Sequence, residues 1–358
     1  MRLRPLSPES RFRPAVYGVI HALVDAACVA AVVRAAHGSY GGDLSAFWTV
    51  AGYDLLAFGL QLPLALLVDR LRLARLSMIL GTAMAAVVLA PGSIPPLATM
   101  IVAGTGNALF HLGAGGLVLG SAGGRAAPAG VFVAPGALGL GLGLWMGRTG
   151  RGSTFPIYVA LVFAVIALVT LDKPAAAGQS TSSQAQGQPE LWPWLILLML
   201  LLVSVAVRSF VGFGACFQCP GGLAVAIGLP VAGFLGKLGG GMVADRLGWL
   251  RTSIGALLLS LPLIAFSGGS LVLALPGVLL FQSTMAVTLV AVFALMPRWP
   301  ATAFGLPCLA LIAGAFPTFL PEGRQLFGRW AFVLLIAVSA AVLALALRRL
   351  SRHGLARN

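Results

Sequence analysis

The chain has 358 residues, of which 59% are hydrophobic and only 9% charged, and it carries a formal net charge of +14 at pH 7. That composition excludes a soluble globular domain. The positive balance does not point to nucleic acid either, because the basic residues are scattered over short loops and tails instead of lining one surface.

Apolar runs of about 20 residues recur along the chain, enough to cross a hydrocarbon core of roughly 30 Å as helices. Twelve spans are predicted, at 15–35, 46–68, 73–91, 96–120, 127–146, 153–171, 191–213, 222–244, 249–268, 271–296, 300–320 and 329–347. Residues 1–14 are basic and contain prolines, and the apolar run after them has no small-residue cleavage site, so no cleavable signal is expected. The fold class read from this pattern is an all-α polytopic membrane protein. A polar, low-complexity segment at 173–190 reads as a flexible linker between a six-helix half at 1–172 and another at 191–358.

In the first span Tyr17, His21, Asp25 and Cys28 recur at helical spacing and share one face. Asp25 falls near mid-membrane, with His21 one turn away. A structural carboxylate, hydrogen-bonded to His21 or to a neighbouring helix, is one reading. The other is a proton or substrate site, because ionisable groups inside a span are costly and mark function by default. Asp54 in the second span lies at similar depth and is the next proton-handling candidate, with Gln61 one to two turns away on the same span.

The second span ends in Asp69-Arg70-Leu71-Arg72-Leu73-Ala74-Arg75. An acid and two bases held between two spans suit a short loop that locks and unlocks. The fourth span carries Asn107 and His111, four apart, within the glycine-rich run 104–116, where small residues permit close helix contact. Its bland reading is a satisfied core histidine; its functional reading is a cavity-lining pair. The fifth span is rich in glycine around Pro135 and reads first as a packing face with a bend.

The second half repeats several of these features. Arg208 in the seventh span is either an ion-pair partner for Asp25 or Asp54 or an attractor for an anionic solute. Lys237, nearer the end of the eighth span, reads as a snorkelling side chain. The eighth span runs through Gly241 into Asp245-Arg246-Leu247-Gly248-Trp249-Leu250-Arg251, echoing the Asp69 loop. Phe281-Gln282 in the tenth span matches Phe110-His111 in the fourth. Pro300, Phe304 and Pro307 match Pro128, Phe132 and Pro135 at one constant offset. Cys216 and Cys219 form a C-x-x-C at a span end; with no second Cys/His pair to complete a ligand set, they read as small turn residues.

The two Asp-Arg loops resemble the Gly-x-x-x-Asp-Arg-x-Gly-Arg-Arg signature of the major facilitator superfamily. Gly241, Asp245, Arg246 and Gly248 fit it; the first copy keeps Asp69 and Arg70, with Ala65 and Arg72 at the glycine positions. Parallel six-helix repeats rocking about a midplane site are what that resemblance implies. His21-x-x-x-Asp25 and Gly106-Asn107-Ala108-Leu109-Phe110-His111 are similar to strings of its fosmidomycin-resistance branch, with Leu112 where that branch often has proline. The fifth span partly resembles a drug:proton antiport signature at Gly130 and Pro135, while Ala134 departs from it.

These readings combine into a secondary active transporter, not an enzyme: a proton-coupled exporter of a small drug-like or anionic compound. Asp25, His21 and Asp54 would handle protons, and Asn107, His111, Arg208, Gln282 and Gln61 would meet the solute. Asp69, Arg70, Arg75, Gly241, Asp245, Arg246 and Arg251 would form the gate. An importer of a small metabolite is the near alternative; a membrane thiol oxidoreductase using Cys216 and Cys219, or a non-transporting scaffold or sensor, are the distant ones. No cofactor and no metal site are expected, and the protein is expected to be a monomer in the lipid bilayer. Arg2, Arg4, Arg11, Arg13, Arg70, Arg72, Arg75, Arg125, Lys173, Arg246, Arg251, Arg298, Arg348, Arg349, Arg352 and Arg357 gather on one side of the predicted topology, which puts both termini in the cytoplasm and the chain in the inner membrane.

Overall fold

A computed structural model describes residues 8–37, 42–92, 94–171, 191–219 and 221–356, so the predicted linker at 173–190 lies outside the described residues. Every regular element among them is helical. The first six spans are α1 (Pro8–His37), then α2 (Gly42–Asp54) and α3 (Gln61–Leu71) joined by a π-helical turn over Leu55–Gly59, then α4 (Ala74–Val87), α5 (Pro96–Ser121), α6 (Ala127–Thr149) and α7 (Phe155–Thr170). The second six are α8 (Leu191–Gln218), α9 (Leu223–Leu247), α10 (Trp249–Ala265), α11 (Leu271–Gln282) continued by α12 (Met285–Leu295), then α13 (Pro300–Phe319), the one-turn α14 (Pro321–Arg324) and α15 (Arg329–Arg352). Nine of these spans are long and apolar enough to cross a membrane, and Ala74–Val87, Phe155–Thr170 and Trp249–Ala265 are shorter apolar helices. Together they make up the twelve expected from the apolar runs.

Some predicted boundaries move outward and others inward: the third, sixth and ninth spans end early, at Val87, Thr170 and Ala265. The first span starts at Pro8 rather than 15, and the seventh and twelfth run on to Gln218 and Arg352, because polar residues at span ends extend a helix that hydropathy alone truncates. Two spans are interrupted. In the second, the ladder takes a π turn directly after Asp54; in the tenth, Ser283 and Thr284 separate α11 from α12. Such departures concentrate at functional sites and hinges.

Glycine decides how closely the helices approach. Along α6, Gly136, Gly139 and Gly143 face α1, and a Cβ at Gly139 would lie 2.1 Å from the Ala22 carbonyl oxygen. The fifth span's glycines are therefore a packing face, as the first reading of that run had it. The two halves of the chain meet along α6 and α9 and along α3 and α5 against α13. There Gly241 approaches Ala126, and a Cβ added to it would sit 2.7 Å from that carbonyl oxygen. The core is mostly apolar, with Phe110, Phe132, Phe332, Leu112 and Leu257 among its fully buried side chains.

A buried polar cluster and two carboxylate latches

Asp25 and His21 sit on one face of α1, one turn apart, and His21 Nε2 lies 3.1 Å from Asp25 Oδ2. From α5, Asn107 Nδ2 donates to Asp25 Oδ1 at 2.8 Å. His111 brings its Nε2 to 2.8 Å from His21 Nε2 and 4.0 Å from Asp25 Oδ1. Four of the residues singled out from sequence thus form a single cluster between the first and fourth spans. Asp25 keeps 15% of its side chain accessible against 6% for His21 and 8% for His111, so the carboxylate is the side from which the cluster is reached.

The imidazoles are fixed by their other nitrogens. His21 Nδ1 is 3.0 Å from the Phe132 carbonyl oxygen, and His111 Nδ1 is 2.9 Å from that of Asn107. A carbonyl oxygen only accepts, so both Nδ1 atoms carry the hydrogen and both Nε2 atoms present lone pairs in the neutral ring. Two lone pairs facing each other at 2.8 Å, beside a carboxylate, repel unless a cation lies between them. A proton shared by the two rings supplies it, and so does a metal ion: His21, Asp25 and His111 offer three ligand atoms all within 4.8 Å of one another. The sequence reading expected no metal site, because these residues are 86 and 90 positions apart across two helices and form no ligand-spacing motif.

Aromatic rings close the cluster. His21 stacks on Phe132 with centroids 5.0 Å apart and meets His111 edge-on at 4.5 Å. Phe304, from α13 in the second half, lies 6.1 Å from His111 and 5.9 Å from Phe132 and fills the space over Gly115. Sequence reasoning noticed Phe132 and Phe304 only as repeat markers; their role as a lid over the histidines depends on packing between halves.

Other candidates lie elsewhere. Arg208 on α8 is buried and donates from Nε to the Ser204 carbonyl oxygen at 3.1 Å, from Nη2 to Thr288 Oγ1 at 2.7 Å, and from Nη1 to Thr284 Oγ1. Its partners are neutral: among the described residues neither Asp25 nor Asp54 pairs with it. Arg208 and Gln282 line a small cavity of about 40 Å³ with Phe281, Met285 and Leu311. Gln61 is fully buried and donates back to the Ala57 carbonyl oxygen at 2.8 Å, leaving its own oxygen without a partner. Asp54 stands at the entry to the π turn, away from the cluster's hydrogen bonds. Cys216 and Cys219 are free thiols.

The loop acids have partners that no motif names. Asp69 Oδ1 accepts the Ala301 N–H at 3.0 Å, while Oδ2 accepts the Thr302 N–H at 2.7 Å and its hydroxyl at 2.8 Å. Asp245 accepts the N–H groups of Ala126 at 2.8 Å and Ala127 at 2.9 Å. Each carboxylate caps the first turn of a helix in the opposite half, where orphan donors and the helix dipole favour a negative charge. Both latches lie at the same face of the molecule. Arg75 instead donates to the Leu168 and Val169 carbonyl oxygens at 2.8 and 2.9 Å, finishing the C-terminus of α7 within its own half.

A helical chain with this order of spans, latched across two halves at one face, has counterparts among solved structures. The major facilitator transporter FucP in its outward conformation aligns with a TM-score of 0.56 at 15% identity, over 93% of this chain and 97% of that one. The chain has the major facilitator fold. A variant of the E. coli fucose:proton symporter aligns at 0.58 with 14% identity over 93% and 97% of the two chains, and a bacterial homologue of the iron transporter ferroportin in its outward-facing state at 0.57 with 13% identity over 94% and 97%. At the level of sequence, no family profile and no curated protein matches. Within the major facilitator fold, α1 and α5 contribute the polar cluster, and α3 and α9 carry the latches.

Proposed function

We propose that the protein is a secondary active transporter that works by alternating access and exports a small drug-like or anionic compound in exchange for protons. The observation that carries this reading is the matched pair of latches, Asp69 on Ala301 and Thr302 and Asp245 on Ala126 and Ala127. They hold one face closed with a few part-buried hydrogen bonds, strong enough to favour one state and weak enough to break in each cycle. Neighbours described as outward conformations support reading the latched face as the cytoplasmic one. The arginine skew supports the same orientation, with both termini inside.

Coupling is assigned to the Asp25 cluster, since its hydrogen-bond geometry calls for a cation and Asp25 is its accessible edge. Arg208 and Gln282 in the second-half cavity are the solute-facing pair of this reading. Transport, not redox chemistry, accounts for these features; the thiol-oxidoreductase alternative draws nothing from the free Cys216 and Cys219.

The test is uptake into everted vesicles or proteoliposomes across a compound panel headed by fosmidomycin, with and without an imposed pH gradient. Asp25→Asn is expected to abolish gradient-driven accumulation while counterflow at zero gradient persists. Accumulation by Asp25→Asn at the wild-type rate with only a proton gradient supplied would move the coupling role away from this cluster.

A further inference from the structure

We propose that His21, His111 and Asp25, completed by the side-chain oxygen of Asn107, form a binding site for one divalent transition-metal ion, which occupies the position of the shared proton. The inference rests on the reading of this cluster as the transporter's cation site and asks which cation its atoms fit.

Three independent features point to a metal. First, both Nε2 atoms are lone-pair donors that face each other beside the carboxylate, because carbonyl oxygens hold both Nδ1 hydrogens. A second-sphere contact of this kind fixes ring orientation in metal-ligating histidines. Second, the spacing is right. Imidazole nitrogens bind such ions at about 2.0–2.1 Å, which sets tetrahedral ligand atoms about 3.3 Å apart. Here His21 Nε2 is 2.8 Å from His111 Nε2 and 3.1 Å from Asp25 Oδ2, while His111 Nε2 is 4.0 Å from the other carboxylate oxygen, so a set with one carboxylate oxygen lies within 4.8 Å and draws in around the ion. Third, Asn107 Oδ1 is buried and has no hydrogen-bond partner, although its amide nitrogen holds Asp25. A buried carbonyl oxygen left without a donor is costly, and a cation beside it removes the cost.

The helix behind the cluster leaves room. A Cβ at Gly136 would stand 2.4 Å from His21 Nε2 and 2.9 Å from Asp25 Oδ2, so any other residue would crowd the ligand atoms themselves. Two imidazoles and one carboxylate select zinc, cobalt, nickel or ferrous ions over magnesium or calcium, which take all-oxygen sites. Binding is an exchange: the metal ion enters with its two positive charges, the shared proton leaves to water, and no electron moves.

The experiment uses full-length protein purified in detergent, its tag removed, with Cys216 and Cys219 replaced by serine and Cys28 and Cys308 by alanine so that thiols cannot contribute. Titration with Co²⁺ is read by visible ligand-field absorption, with Zn²⁺ and Mg²⁺ as competitors. One Co²⁺ per chain is expected, in a tetrahedral nitrogen–oxygen spectrum displaced by Zn²⁺ and not by excess Mg²⁺. Asp25→Asn and His111→Gln should each weaken binding at least about tenfold. Asn107→Asp, which adds a charged ligand, should tighten it by a similar factor, a gain that misfolding cannot imitate. Absence of the Co²⁺ spectrum in the parent protein, or a spectrum indifferent to both Asp25→Asn and Asn107→Asp, overturns the site. Proton-driven flux in chelator-treated proteoliposomes is measured alongside. Flux without a Co²⁺ site removes the metal and leaves the transporter; a Co²⁺ site without proton-driven flux removes the proton coupling and leaves the metal.

Discussion

Arg72 has the one positive φ of any non-glycine residue among those described, +56°, at the turn that follows Asp69. Its counterpart after Asp245 is Gly248, at +96°. The turn needs a left-handed residue so that the chain can reverse into the next span, and a Cβ there costs about 1 kcal/mol. Arg72→Gly should therefore raise the thermal midpoint of the purified protein by about 2 °C; a lower midpoint would mean that the arginine side chain contributes more than its backbone loses. Legibility at this scale was uneven. The His21–Asp25 contact follows from helical spacing on one span, and Asn107 and His111 share a face for the same reason. That the two pairs meet could not be read, because the meeting depends on Gly136 and Gly139 bringing α6 against α1 and on the carbonyl of Phe132 orienting a ring.

Among the elements, α3, α9, α6 and α13 carry the conformational argument. The Asp-Arg loops stood out in the sequence as charged turns, and charge pairs with the neighbouring arginines were the natural expectation. Hydrogen bonds also run to backbone N–H groups at the starts of α6 and α13, donors that every helix possesses and that no side chain advertises. A helix cap of this kind contributes about 0.5–2 kcal/mol. Asp245→Ala or Asp69→Ala should accordingly shift the equilibrium away from the latched state by roughly 2- to 30-fold. Cys308, buried on α13, is the native reporter: in a protein whose other cysteines are replaced, its alkylation rate should rise by that factor in either variant. An unchanged rate in both would reduce the loops to topology markers. The π turn after Asp54 and the break at Ser283–Thr284 had no sequence signature, since both segments remain apolar and free of proline at the break itself.

For the whole molecule, twelve spans were readable because apolar length alone defines them, and the fold followed from their number and the repeated loops. What membrane face each end occupies is a separate matter, and native cysteines give access to it. Cys219 lies at the end of α8 opposite the latched face. With both termini inside, a membrane-impermeant maleimide should label intact cells at Cys216 or Cys219, and the label should vanish in the double serine variant. Labelling only after the membrane is opened would invert the orientation and put the latches outside.

Phe304 and the receiving end of the Asp69 latch share one turn of α13. Thr302, which binds the carboxylate, is two residues from the ring that lies over His111 and Phe132. An α-helical turn moves as a rigid piece, so the backbone that carries the ring stays in place while the latch holds. A cation in the cluster is thereby denied a private exit: the path to the latched side opens only when the halves themselves part. In energetic terms this is protection against leak. In the proposed transporter a gradient would then be dissipated only by complete cycles, and the tightness of coupling would follow from how firmly a single helical turn is held.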